Sequence, residues 1–413
     1  MSASTASATL LHHRSFRLFW LASVASTIAL QMQIVAVGWQ IYQLTHSPLD
    51  LGLVGLVQFV PSLLLVFVVG HVADRYNRRQ VARVSLLLEG IAAALLAAGS
   101  MGGWLNREMI FAIVAVIGAG RAFSKPTMQA LLPALVGPTL LPRAVAGSAS
   151  ATQFAVIIGP ALGGFLYIAG PAVVYVSACA LFILSSILVS LIKLERVTIR
   201  PVAGGWASLF GGIAFIRSKP AVLGAISLDL FAVLLGGATA LLPVYASDIL
   251  HTGSVGLGLL RSAPAVGALS VAILLARYPL RNRVGRSMFI AVAVFGCATI
   301  VFGLSRSFLL SLLALVVLGA SDMISVVIRS SFVQLQTPDE MRGRVSAVNS
   351  VFIGTSNQLG EFESGLTAAW LGAVPAVLLG GIGTLLVVAL WIRLFPALFH
   401  VNRLASEPEK TSG

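Results

Sequence analysis

Five carboxylates interrupt stretches that are otherwise apolar: Glu89, Asp229, Asp322, Glu361 and Glu363. Arg121 does the same, with Lys125 one helical turn away on the same face. A charge at the centre of a bilayer costs ~2.5–3.5 kcal/mol even on the lenient insertion scale, so such residues are retained for a reason. One chemistry open to them is proton exchange, a carboxylate binding and releasing a proton as access to water alternates. Asp229 and Asp322, near mid-span in the second half, are the first choices as carriers. The other possibility is a static interhelical ion pair, with Arg121 or Lys125 supplying the positive charge. Glu361 and Glu363 are two residues apart, about 200° around a helix, so they cannot both face one cavity. Glu89 is a further candidate carrier.

Amides at similar depth point to a solute path. Gln33 and Gln40 are seven residues apart on one helical face, beside Trp39, and Gln58 follows in the next run. Polar amides in an apolar helix are better placed toward a polar interior than toward lipid. None of the four lysines follows a glycine, so no phosphate-binding G-x-x-x-x-G-K loop is present and direct ATP coupling is not expected. His12 and His13 lie in the tail, and His46, His71, His251 and His400 are dispersed near the run ends. That spacing offers neither a metal centre nor a nucleophile–base pair, so no enzyme and no cofactor are expected. Cys179 and Cys297 both fall in apolar runs and read as packing residues.

The elements that hold these residues are dictated by composition. Hydrophobic residues make up 58% of the 413, charged residues 10%, and the mean hydropathy is +0.96. A soluble globule carries roughly 25% charged residues, so most of this exterior must face lipid. Backbone groups in hydrocarbon must be bonded within helices or a closed barrel, and unbroken apolar runs exclude the barrel. Spans are expected near 16–43, 49–72, 80–101, 108–131, 145–168, 172–194, 220–246, 255–276, 286–304, 308–330, 344–368 and 373–395. The fold class is therefore an all-α polytopic membrane protein of twelve transmembrane helices. The first apolar run is too long for a cleavable signal peptide and has no small-residue cleavage site at its end.

The net charge of +13 raises nucleic acid as a partner, and the positions of the charges argue against it. With these spans, 22 of the 27 Lys and Arg lie on the side of the N-terminus; Arg107 and Arg306 lie opposite, and Arg121, Lys125 and Arg261 lie inside. This is the positive-inside pattern, and it places both termini in the cytoplasm of a multi-pass protein of the cell (inner) membrane. The longest connection divides the chain into an N-terminal six-helix half (1–194), a linker (195–219), a C-terminal six-helix half (220–395) and a tail (396–413). Within the linker, Trp206 to Arg217 has apolar residues at helical spacing and a basic end, as an interfacial helix would; Gly211 and Gly212 weaken that reading. Small-residue helices entered through a basic turn at Pro142-Arg143 and at Met341-Arg342 hint at an internal repeat.

The loop after the second run reads Gly70-His-Val-Ala-Asp74-Arg75-Tyr-Asn77-Arg78-Arg79. It resembles the signature G-x-x-x-D-R-x-G-R-R/K of the major facilitator superfamily, with Asn77 where the family usually has glycine. Asn tolerates a left-handed turn, which makes the departure mild. The resemblance implies two pseudosymmetric six-helix halves and a cytoplasmic gate latch made by Gly70, Asp74, Arg75, Arg78 and Arg79, with Arg342 and Arg344 as plausible partners of Asp74. Gly159-Pro160-Ala-Leu-Gly163-Gly164 looks like the G-P-x-x-G-G packing signature of antiporter members, with Ala155 in place of its upstream glycine. Arg121-Ala-Phe-Ser-Lys-Pro, Ser321-Asp322 to Arg329 and Glu361-Phe-Glu363 are similar to a siderophore-exporter and drug:proton antiporter subgroup, in which an intramembrane arginine at the position of Arg121 is associated with proton coupling.

The resemblance implies a secondary transporter, a proton-coupled exporter of a siderophore or drug-like amphipath working by alternating access. Its partners would be a small-molecule substrate, protons and membrane lipid, with the chain acting as a monomer. An importer or a lipid-linked flippase on the same fold is the alternative within transport. A transport-inactive scaffold or sensor is the alternative outside it.

Overall fold

A computed structural model describes residues 13–65, 68–69, 72, 75–137, 139–193, 206–280 and 282–402. The first six long helices are α1 (Arg14–Thr45), α2 (Pro48–Leu64), α3 (Arg78–Gly102), α4 (Arg107–Leu135), α5 (Leu141–Leu166) and α6 (Pro171–Ser190). The remainder are α7 (Trp206–Ser218), α8 (Pro220–Leu235), α9 (Gly253–Arg277), α10 (Val284–Leu304), α11 (Phe308–Leu335), α12 (Asp339–Leu371), α13 (Ala373–Leu394) and the short α14 (Pro396–Phe399). All regular structure among the described residues is helical. Ten segments among the described residues are long and apolar enough to cross a membrane. The two other expected spans coincide with α2, apolar but 17 residues long, and α12, 33 residues long and interrupted by charge, so twelve crossings remain consistent with the helices seen.

Local chemistry sets the helix ends. Ser47 and Asn106 accept hydrogen bonds from the backbone N–H of Asp50 and Met109, capping α2 and α4. Asn77 caps α3 by accepting from the Arg79 N–H at 3.0 Å, and its φ is −63°. The left-handed turn expected at Asn77 is therefore absent; the side chain is used as an N-cap instead. Gly170 (φ 108°) precedes α6 and Gly372 (φ 92°) precedes α13, conformations that L side chains rarely adopt. These two turns lie 202 residues apart in the chain.

The chain separates into two compact units. The first comprises residues up to Val202 together with His251–Ser262, the opening of α9. Its core includes Phe16, Phe19, Leu86, Ala178 and Phe182. Asp50, buried at the start of α2, pairs with Arg107 at the start of α4 at 2.6 Å. The glycines of the α5 motif serve two contacts. A Cβ on Gly159 would meet Gln31, and one on Gly163 would lie 2.8 Å from the Met32 backbone, so this face admits α1. Gly164 faces the Ser254 carbonyl, and a Cβ on Gly258 of α9 would lie 2.5 Å from the Pro160 carbonyl oxygen. Small residues let these backbones approach closely, as at other membrane helix crossings.

The second unit comprises Ala203–Leu250 and the residues from Ala263 onward. Leu228, Met288, Phe289, Phe332 and Trp391 lie in its core. The linker helix α7 docks on α12: Ile216 is buried with Val345 and Val348, and a Cβ on Gly212 would lie 2.9 Å from the Arg344 carbonyl. The glycine expected to weaken this helix is its contact point. The span expected over 220–246 is not one continuous helix. It breaks at Gly236-Gly237 and continues as a 3-10 turn (Ala238–Leu241), one α-helical turn (Leu242–Val244) and a π-turn (Tyr245–Ile249). A Cβ on Gly237 would strike the Gly360 backbone, so the break sits where α12 comes closest.

A repeat emerges from the packing. Gly118-x-x-Arg121-x-x-Ser124 in α4 matches Gly319-x-x-Asp322-x-x-Ser325 in α11, 201 residues later. Gly118 lies against the Gln58 carbonyl of α2, and Gly319 against the Pro264 carbonyl of α9. Gly118→Ala and Gly319→Ala are each expected to destabilise by about 1–3 kcal/mol through overpacking. That outweighs the gain of about 0.5–1 kcal/mol that alanine normally brings to a helix. A lower thermal midpoint in detergent would register it, and an unchanged or raised midpoint would contradict the packing.

Candidate functional site

Each unit holds a buried carboxylate gripped by a serine from its charged helix. In the first unit, Ser124 of α4 donates to Glu89 of α3 at 2.6 Å. Gly120 makes room, since a Cβ there would lie 2.9 Å from the Glu89 Cγ. Arg121 is within electrostatic range of Glu89 and donates to the Gln58 side-chain amide oxygen, Oε1, at 3.4 Å, a long contact. Ser62 donates to the Gly118 carbonyl at 2.9 Å, fixing α2 beside this cluster. Glu89, Arg121 and Gln58, drawn from three apolar runs, are thus brought together.

In the second unit, Ser325 of α11 donates to Asp229 Oδ1 of α8 at 3.0 Å, and Arg329 Nη1 lies 3.1 Å from Asp229 Oδ2. Both members of this ion pair are more than nine-tenths buried. The counter-charge expected from Arg121 or Lys125 is therefore supplied by Arg329. By sequence Arg329 falls with the basic cytoplasmic ends, because it lies near the end of its apolar run. It actually sits six residues before the end of α11, about 9 Å inside the helix. One signal was available: Asp322 and Arg329 are seven apart, two turns along one face.

Asp322 lies within electrostatic range of Asp229 and Arg329, and no hydrogen bond or ion pair engages it among the described residues. Asp229, Asp322, Ser321 and Ser325 open onto a small cleft completed by Val292 and Phe295. Its free space matches about one water molecule. Two carboxylates thus share one guanidinium beside a water-sized opening. That arrangement can exchange a small cation, and it is too small for an organic solute.

The other residues have separate environments. Glu363 accepts from Thr367 at 2.8 Å, within its own helix, and Glu361 is half-buried nearby. Gln40 donates to Ser100 at 3.1 Å and accepts from Tyr175 at 2.7 Å, which ties α1 to α3 and α6. Its amide does structural work rather than lining an open path. Trp39 is buried. Gln33 is buried, and neither of its amide atoms has a partner among the described residues. Burying an unsatisfied polar group costs about 1–3 kcal/mol, so Gln33→Leu is expected to raise the thermal midpoint. A lowered midpoint would mean the amide is bonded in the native protein. Of the cytoplasmic motif, Gly70 and Asp74 lie outside the described residues. Arg79 donates to the Ile192 carbonyl at 2.7 Å, Arg78 opens α3, Arg75 is exposed, and Arg344 is exposed on α12.

Comparison with known proteins adds the family. A profile described as transmembrane secretion effector, of the major facilitator superfamily, matches residues 5–411. The chain belongs to that family. Its fold is likewise that of solved transporters: a nucleoside transporter NupG variant covers 92% of this chain and all of its own length at 13% identity, with a TM-score of 0.71. A bacterial homologue of the iron transporter ferroportin covers 94% and 99% at 17% identity, with a TM-score of 0.70. Among relatives by sequence, the enterobactin exporter EntS of Citrobacter koseri is 28% identical over 406 residues, 97% of this chain and 96% of its own. The protein is thus a multi-pass membrane transporter of the major facilitator type and not an enzyme.

Proposed function

We propose that the protein is a proton-coupled exporter of a small organic solute, a siderophore or a drug-like amphipath. One observation carries the coupling: between the apolar helices α8 and α11, Asp229, Asp322 and Arg329 set two negative charges against one positive charge beside a water-sized cleft. Asp229 is held by Arg329 and Ser325 and stays as the fixed partner. Asp322, which nothing bonds among the described residues, is the exchanging group. With a proton on Asp322 the cluster is neutral and can cross a low-dielectric barrier; without it the cluster carries one negative charge. Glu89, held by Ser124 and answered by Arg121, is the second candidate.

Export is favoured by the relatives that carry the name of an enterobactin exporter. The positive-inside pattern supports cytoplasmic termini and, with them, a cytoplasmic latch at Arg75, Arg78 and Arg79; Arg342 and Arg344 belong to the same cytoplasmic side by that pattern. Two six-helix halves joined by the linker would rock about the solute, with the chain acting as a monomer in the inner membrane. Gln58, beside Arg121, is the amide best placed to meet a solute. The direct test is reconstitution into vesicles with an imposed pH gradient, assayed with a panel of siderophores and amphipathic dyes. Solute movement against the proton gradient is expected. Movement with the proton flow would indicate import, and flux indifferent to the gradient would overturn the coupling.

A further inference from the structure

Lys125 has no role in the proton cluster, and its surroundings are unusual for a lysine at this depth. It lies four residues beyond Arg121, itself the fifteenth of the 29 residues of α4, and about 15 Å from the helix end at Leu135. Ser124, Thr127, Met128 and Leu131 form the buried face of this stretch, and Lys125 and Gln129 are exposed. Arg121, Lys125 and Gln129 recur every four residues, so they form one polar stripe along the helix. A lipid-facing helix would not carry an exposed ammonium and an exposed amide in series at that depth; a stripe of this kind lines water.

The charges along the stripe do not balance. Glu89 answers Arg121 from α3, and the charged group acting on Lys125 is Arg121, of the same sign. Lys125 makes no hydrogen bond or ion pair among the described residues. Like charges one turn apart repel, and the repulsion grows where water is scarce. An anion placed at Lys125 would remove it.

We propose that Lys125 is an anion-docking residue. The transported solute carries an acidic group, a carboxylate or an ionised phenol, which pairs with the Lys125 ammonium as it passes along the Arg121–Lys125–Gln129 stripe. The consequence for substrate class rests on the export reading above; the docking itself does not. A three-donor ammonium on a flexible stem suits an anion that arrives and leaves, where a rigid bidentate pair would hold it.

Full-length protein in lipid vesicles can be treated with trinitrobenzenesulfonate, a water-soluble amine reagent, and labelling read at each lysine by peptide mass spectrometry. Lys193 and Lys219 are exposed at helix ends and serve as internal controls. Lys125 is expected to label. Pyrenebutyrate should slow its labelling by about fivefold or more, equivalent to about 1 kcal/mol, and the neutral pyrenebutyramide should have little effect. Neither probe should change Lys193 or Lys219. An unlabelled Lys125 beside labelled controls would place it in lipid and overturn the proposal, as would equal protection by both probes or by neither. Anion-selective protection without gradient-driven flux would leave docking standing and sink the export reading. Flux without such protection would do the reverse.

Discussion

Arg329→Met should leave the protein poorly folded and inactive in transport. The substitution removes the guanidinium 3.1 Å from Asp229 Oδ2 and strands a buried carboxylate with Ser325 as its remaining partner. Breaking one side of a buried pair costs about 3–5 kcal/mol, a large share of the stability of most domains. The expected result is a sharply lower thermal midpoint in detergent and a reduced yield of folded protein from membranes. Removing both charges separates electrostatics from packing. The double variant Asp229→Leu/Arg329→Met should recover most of the stability, because a well-packed apolar pair replaces a buried ion pair at little cost. It should still fail to couple transport to protons, since the fixed partner beside Asp322 is gone. A single Arg329→Met variant as stable as the parent would refute the buried pair.

Asp322→Asn should have the opposite profile. The side chains are nearly isosteric, and no bond to Asp322 is lost among the described residues, so stability should stay within about 0.5 kcal/mol of the parent. Transport against a gradient should fall to the level of protein-free vesicles, because asparagine cannot bind and release a proton in this range. Exchange of labelled for unlabelled solute needs no net proton movement and should persist. The contrast distinguishes the two acids: Asp229→Asn disturbs the pairing of Arg329 and is expected to lower stability as well. If Asp322→Asn retains gradient-driven transport, the exchanging group lies elsewhere, and Glu89 becomes the next residue to neutralise.

Much of the architecture was legible in the chain because a bilayer allows so few solutions. Once the apolar runs are long and unbroken, backbone bonding forces helices, and α1, α3, α4, α6, α10, α11 and α13 fall where hydropathy places them. Where charge and apolar surface compete, the runs say less. The break at Gly236-Gly237 lies inside a strongly apolar stretch, and only the approach of Gly360 and α12 makes it visible. Gly212 is a related case, a helix glycine whose role is set by the α12 backbone beside it. A glycine weakens an isolated helix, but it permits close contact when another backbone lies across it.

By itself the sequence determined the membrane class, the buried acids Glu89, Asp229 and Asp322 and the family signature, since each follows from residue type, spacing and the cost of charge in hydrocarbon. Tertiary structure alone decided how the charges pair. Asp229 and Arg329 are a hundred residues apart and meet because α8 packs on α11. Glu89 is held by Ser124 because Gly120 leaves room for its stem. Gln40, whose type and spacing suit a solute path, is bonded to Ser100 and Tyr175. Coulomb and hydrogen-bond energies depend on distances of a few ångströms between side chains. Those distances are set by which helix faces meet, and one helix's sequence does not contain its neighbour's orientation.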